Sequence, residues 1–265
     1  MARRRENSDT RSMLIPRFVR PRRAAAPLLG PMLFAAALAA AGSASAQSTL
    51  TPFGASGGAP QAPWKVVGLP QQTKPFTRFS VVDLDGKRAV KIEADLSYGN
   101  LVHPLKEHAA PAHLSWQWRI EKPIEGADLR EKRGDDTAVK VCVFYDLPMD
   151  SVPFADRQLL RLARSKTSDP VPTATVCYVW DAKLPAGTTL DNAFTKRMRY
   201  MVVRSGPQKL NQWTSEKRDV TADFAKLFGG ESDTVPPIIG IAIGADSDNT
   251  KSHSVGYVTG VALEP

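Results

Sequence analysis

Short runs in which apolar and polar residues alternate one for one, separated by turn residues, recur along most of this chain and restrict it to sheet architectures. The clearest unit is Phe79-Ser-Val-Val-Asp-Leu84, then Asp85-Gly86, then Lys87-Arg-Ala-Val-Lys-Ile-Glu-Ala94. Asp-Gly readily takes the positive φ angles of a tight type I′ turn, so these residues predict a β-hairpin. Further strands are predicted around 100–105, 113–121, 137–146, 173–181, 197–204, 213–220, 237–244 and 255–263. So many short strands do not suit a parallel sheet with helical crossovers. They predict an all-β fold, an antiparallel β-sandwich with one or two short inserted helices.

The inserted helices are read from a change of period. Over Ser151–Lys166 a capping serine and an early Pro153 precede Ala155, Leu159, Leu162 and Ala163 on one side, with Arg157, Arg161 and Arg164 elsewhere. This amphipathic helix is expected to lay its apolar side over one end of the sandwich. The other reading is a basic face that touches anionic lipid or polymer. A second helix is predicted from Thr221 to Phe228, where Gly229-Gly230 stops it.

The N-terminal residues predict the compartment. Eight arginines between Arg3 and Arg23 precede an apolar run from Ala24 to Ala41, and Ala44-Ser-Ala46 has the small-residue form of a cleavage site. Residues 1–46 are therefore expected to be a signal peptide that is removed, leaving no transmembrane segment and a periplasmic or secreted protein. Residues 47–63, rich in Ser, Thr, Gly, Ala and Pro, are expected to form a flexible linker before a β-sandwich domain over 64–265. The leader holds eight of the 35 Lys+Arg and two of the 27 Asp+Glu, so the remainder carries 27 against 25. A net charge near +2 gives no electrostatic footprint for nucleic acid. Cys142 and Cys177, both inside apolar strand-like runs, either form one disulfide in an oxidising compartment or remain two buried thiols.

Strand parity nominates one polar site. In Leu114-Ser-Trp-Gln-Trp-Arg-Ile120, alternation puts Trp116 and Trp118 on the core face and Gln117 and Arg119 on the other. Glu216 and Arg218 also share a face. If their strand neighbours the first one, Gln117, Arg119, Glu216 and Arg218 form either an outward ligand-binding surface or a network of cross-strand ion pairs. Two acidic loops nominate another site, because Asp135 and Asp136 precede a strand and Asp246, Asp248 and Asn249 end or follow one. Alternating Asp and Asn oxygens suit calcium, which takes about six to eight oxygen ligands, although the glycine and glutamate of an EF-hand loop are missing. The plainer alternative is an Asx turn. For catalysis, Asp135, Asp136, Glu216, Asp246 and Asp248 supply carboxylates that could pair to cleave a glycosidic bond. No nucleophile elbow, phosphate loop or dinucleotide fingerprint accompanies them.

From about Trp64 onward several segments appear in a specific order: Leu114-Ser-Trp-Gln-Trp-Arg119, Lys132-Arg-Gly-Asp-Asp136, Tyr178-Val-Trp180, Val203-Arg-Ser-Gly206, Trp213-x-x-Glu216-x-Arg218-x-Val220, and Ile239-Gly-Ile-Ala-Ile-x-x-Asp246-Ser-Asp-Asn-Thr250. In this the chain resembles the bacterial secreted domain-of-unknown-function family 3047. The resemblance implies a jelly-roll sandwich of the galactose-binding type and implies no activity. The Ser151–Lys166 helix and the two cysteines lie outside these motifs. The expected function is non-catalytic binding of a polar ligand, a carbohydrate or another cell-envelope component. The alternatives are a polysaccharide hydrolase or lyase using paired carboxylates, and a structural envelope protein without a small ligand.

Overall fold

The computed structural model describes residues 50–108 and 112–265, so the leader read over 1–46 lies outside the described residues. Those residues form strands β1 (Lys65–Val67), β2 (Arg78–Leu84), β3 (Lys87–Asp95), β4 (Tyr98–His108), β5 (His113–Lys122), β6 (Thr137–Tyr145), β7 (Ala174–Asp181), β8 (Thr189–Asp191), β9 (Met198–Ser205), β10 (Thr214–Asp219), β11 (Ile238–Asp246) and β12 (His253–Glu264). Helix α1 (Phe154–Arg164) is inserted between β6 and β7, and α2 (Val220–Phe228) between β10 and β11. Asp219 rather than Thr221 caps α2, accepting from the Ala222 amide. Among the described residues no helix is long and apolar enough to cross a membrane.

The strands build a seven-stranded sheet, ordered β1-β4-β11-β6-β7-β9-β8, and a five-stranded sheet, ordered β10-β5-β12-β3-β2. Eight of them form nested antiparallel pairs: β3 with β12, β4 with β11, β5 with β10, and β6 with β7. Successive pairs fall alternately in the two sheets, which is the winding of a jelly roll, as the family resemblance implies. One pair departs from the antiparallel rule. The chain leaves β7, forms β8 at the sheet edge and returns between them as β9, which therefore runs parallel to β7.

Local chemistry and register agree in the first hairpin. Asp85 and Gly86 have φ of 52° and 72°, and the ladder pairs Leu84 with Lys87 and Phe79 with Ile92. Between the sheets, Trp116 and Trp118 are almost fully buried and meet at 5.5 Å, edge to face. Trp116 also packs on Tyr178 of the other sheet at 5.3 Å, and Trp118 on Trp180 at 6.0 Å. Each such ring removes a large apolar area from water, so truncating one to alanine would cost about 3–5 kcal/mol.

The segment expected to be a tether is instead packed over its described part. Leu50 and Phe53 are buried, Trp64 donates from Nε1 to the Thr51 carbonyl at 2.7 Å, and the Thr51 amide donates to His103 Nε2 at 3.0 Å. Two isolated apolar residues in a Ser/Gly/Pro-rich stretch suffice to pin it, because Phe53 packs on Trp64 with tilted rings whose centres are 5.0 Å apart.

The seven-stranded sheet is apolar on both faces. Val139, Val141 and Val143 of β6 face the five-stranded sheet, whereas Cys142 joins Cys177, Val102, Ala242, Tyr200 and Val202 in a separate cluster on the outer face. Cys142 and Cys177 are directly opposed across the β6–β7 ladder with Cα atoms 4.1 Å apart, and they form a disulfide.

Candidate functional site

The outward polar set expected from parity does not assemble. The β5–β10 ladder pairs Glu216 with Trp116 and Arg218 with Leu114, so both charged residues share the core-facing side of an edge strand. Glu216 accepts from Trp118 Nε1 at 3.1 Å and from Arg204 Nε at 2.5 Å. Arg218 grips Asp223 of α2 at 2.6 and 2.9 Å, and Asp223 also accepts from the Tyr178 hydroxyl at 2.8 Å. On the opposite face Arg119 is paired with Asp85 at 2.7 Å and Glu121 at 3.1 Å, with Gln117 half-buried two residues away. A register one residue different would have put all four together, because a one-residue slip exchanges the two faces of a strand. Charges that seal the open edge of the sandwich thus take the place of the expected binding surface.

The acidic loops do meet, but most of their oxygens are already used, Asp248 Oδ1 alone among them being buried without a hydrogen-bond partner. Asp136 accepts from the Thr250 amide and hydroxyl, both at 2.6 Å, and from the Asn249 amide and side chain at 3.3 and 3.2 Å. Asp246 accepts from the Thr137 amide at 2.8 Å, the Thr137 hydroxyl at 2.6 Å and Lys140 Nζ at 2.9 Å. Asp135 accepts from Tyr200 at 3.0 Å and from Asn192, and Asp248 is paired with Lys74. Asp246, Asp248 and Asn249 therefore turn to three different partners. Among the described residues no group of three or more His, Cys, Asp or Glu could hold a metal ion. The donor set does not fit calcium: the Lys140 ammonium, buried against Asp246, already supplies the positive charge a cation would bring.

This junction is a buried electrostatic lock that ties β6, β11 and their loops together. Lys140 is buried, its stem passes beside Gly244 where a Cβ would press on Lys140 Cε, and its ammonium lies over the Tyr98 ring at 5.1 Å. Burial alone would lower the ammonium's pKa, but the charge of Asp246 and its hydrogen bond outweigh that and hold it raised. Burial pushes the Asp246 carboxyl up, and Lys140 and Thr137 pull it back. Asp135, buried and beside the Asp246 charge, is pushed up to about 6.

Next to the lock, the outer face of the seven-stranded sheet holds a cavity of about 450 Å³. Val102, Cys142, Phe144 and Cys177 form its floor, with Tyr98 and Asn100 also lining it, and Leu160 of α1 and Met198 of β9 contribute to its walls. This size and lining are typical of a ligand pocket, a mostly apolar concavity with few polar groups. Its carboxylates, Asp156 and Asp169, are engaged by Arg197 at 3.0 Å and Lys65 at 2.6 Å. Sequence reasoning missed the cavity because six strands and a helix contribute to it. One signal was available: Thr137–Tyr145 is apolar at nearly every position rather than at every second one, which requires a cover on both faces.

Comparison with solved structures returns two-sheet proteins of low similarity. TmCBM61 in complex with β-1,4-galactotriose is 11% identical, with 76% of this chain and 88% of that chain covered and a TM-score of 0.33. A family 12 glycoside hydrolase is 9% identical, with 76% and 93% covered and a TM-score of 0.39. A family 12 xyloglucanase from Bacillus licheniformis is 9% identical, with 76% and 99% covered and a TM-score of 0.37. No curated protein matches the chain in sequence. The family model described as "Protein of unknown function (DUF3047)" matches residues 62–262, a span that takes in the strands and helices of the described residues up to the last two residues of β12, and the chain belongs to that family.

Proposed function

We propose that this protein is an exported, non-catalytic binding protein that holds an amphiphilic component of the cell envelope, with an apolar chain in the cavity of the seven-stranded sheet. The observation that carries this reading is the cavity's lining. A bare oligosaccharide laid on Val102, Leu160, Met198 and Ile239 would leave hydroxyls without partners, at about 1–3 kcal/mol each. An acyl chain there loses no hydrogen bonds and gains about 0.8 kcal/mol per methylene buried. Asn100, Thr175 and Lys65 at the same cavity provide the few polar contacts a headgroup needs.

The test is displacement of a fluorescent fatty-acid probe by saturated fatty acids of increasing length. Affinity should rise roughly fourfold per added methylene until the cavity is full. Val102→Trp and Met198→Trp, which fill the cavity, should abolish it. Chain-length-independent binding, or unchanged binding by both variants, would end this reading. Carbohydrate is the second reading, supported by the Tyr98, Phe144 and Phe194 rings in the lining, which could stack on sugar faces. Glycan-array binding that the same two variants abolish would favour it over the first.

A further inference from the structure

Helix α1 is seated the opposite way round from the usual surface helix. Its polar residues hold it to the body: Asp156 pairs with the buried Arg197 at 3.0 Å, Arg157 donates to the Val152 carbonyl at 3.1 Å, and Arg164 donates to the Val171 carbonyl at 2.9 Å. Of its leucines only Leu160 is buried. Leu159 and Leu162, three residues apart and so on one face, are 60% and 55% exposed, and Phe154 at the helix start is 73% exposed. The sequence leads one to expect this apolar face against the sandwich. It faces away instead, and an ordinary amphipathic helix would reverse that arrangement.

The exposed face continues around the mouth of the cavity. Leu159 lines the cavity and is exposed, as are Phe194, 57% exposed, and Leu69. Cations stand among these residues. Arg161 and Lys166, on and just after α1, and Lys196, two residues beyond Phe194, are exposed. Lys132 lies over the Phe194 ring at 5.4 Å. Among the described residues no side-chain hydrogen bond or ion pair engages Arg161, Lys166 or Lys196. The acids of the same region are engaged, Asp156 by Arg197, Asp169 by Lys65 and Asp191 by Arg199. An apolar stripe of leucine and phenylalanine flanked by uncompensated arginine and lysine matches a surface that is itself apolar beneath and anionic above.

We propose that α1, with Phe194 and Leu69, is a docking surface for an anionic lipid bilayer, into which Leu159, Leu162, Phe154 and Phe194 insert while Arg161, Lys166 and Lys196 meet the headgroups. This goes beyond the binding of a ligand in the cavity and stands whether or not an acyl chain enters there. A protein partner or a second copy of the chain would also cover apolar residues, but neither requires that the surrounding cations lack partners while the acids have them.

The test is cosedimentation of the chain from Gln47 onward, which contains β1–β12, α1 and α2, with vesicles of phosphatidylcholine alone or mixed with phosphatidylglycerol. It should bind the mixed vesicles only, and high salt should release it. Leu159→Glu with Leu162→Glu should abolish binding, and Arg161→Ala should weaken it roughly fivefold. Because all three side chains are exposed, melting should be unchanged in each variant; Leu159 also lines the cavity, so Phe154→Glu with Leu162→Glu, neither of which lines it, should likewise abolish vesicle binding while leaving fatty-acid displacement intact. Equal binding to both vesicle types, no binding to either, or full binding by the double leucine variant overturns the proposal. So does a concentration-dependent dimer that the double leucine variant abolishes in the absence of vesicle binding, since the face would then belong to a second copy.

Discussion

Replacing Asp246 by asparagine removes one charge from the buried lock and leaves nearly everything else in place. Asparagine keeps an oxygen for the Thr137 amide and hydroxyl, which lie 2.8 and 2.6 Å from the carboxylate, but presents no charge to Lys140 Nζ at 2.9 Å. At that distance the pair attracts by about 6 kcal/mol for an effective dielectric constant near 20. Most of this offsets the cost of taking both ions out of water, so the pair itself is nearly neutral, whereas an orphaned ammonium is not. The Lys140 and Asp246 side chains are 1% and 5% exposed, so water cannot replace the lost partner. D246N should therefore destabilise the fold by about 3–5 kcal/mol, a large fraction of a domain's total. K140M should cost a similar amount at neutral pH, but its deficit should shrink on acidification. Without the ammonium, burial raises the Asp246 carboxyl further, and a folded-state pKa above the unfolded one destabilises at high pH and is relieved as pH falls. The double variant should recover part of both losses. Urea unfolding at two pH values measures all three quantities. A D246N loss below about 1 kcal/mol, or a double variant equal to the sum of the singles, would show that these charges are solvated or uncoupled.

The neighbouring carboxyl gives a second pH signature. Asp135 is pushed up to about 6 from 3.8, so its ionised form costs about 3 kcal/mol at pH 7, and stability should rise as pH falls from above 6 towards 4. Asp135→Asn should flatten that limb of the urea-derived stability curve. Replacing Cys142 and Cys177 by alanine opens a bridge between residues 35 apart, which should cost about 3–4 kcal/mol in chain entropy and lower the melting temperature. Glu216→Ala strips the partner from the buried Trp118 indole and from Arg204, and should cost about 1–3 kcal/mol by urea unfolding. Arg119→Ala on the other face should change stability by no more than about 1 kcal/mol, because its partner Asp85 is half exposed.

Which faces would be apolar was legible wherever a single strand carried the information. Trp116 and Trp118 read as core from their own alternation, and Asp85-Gly86 read as a turn from its own chemistry. What lay between strands was not legible. Glu216 and Arg218 were placed beside Arg119 because nothing inside β10 says which residue of β5 stands opposite it, and the ladder that pairs Glu216 with Trp116 turns both charges inward. The disulfide was open for the same reason, since only the β6–β7 register puts Cys142 opposite Cys177. Helix α1 shows the limit in its strongest form: its amphipathicity was plain, but which side meets the body depends on Arg197, Val152 and Val171, none of which belongs to the helix. Two of the places where polarity and position conflict are Lys140 with Asp246, charged and buried, and Leu159 with Leu162, apolar and exposed. A sequence selected for stability alone would retain neither, because each costs free energy that a simple substitution would recover. The first lies where β6, β11 and two loops converge, with Lys140 over the Tyr98 ring, and of the second pair Leu159 lines the cavity. Tyr98, which lies under the Lys140 ammonium, and Leu159 both line one concavity, and this is the structural argument for placing the proposed binding site on the outer face of the seven-stranded sheet rather than on the polar face of the five-stranded one.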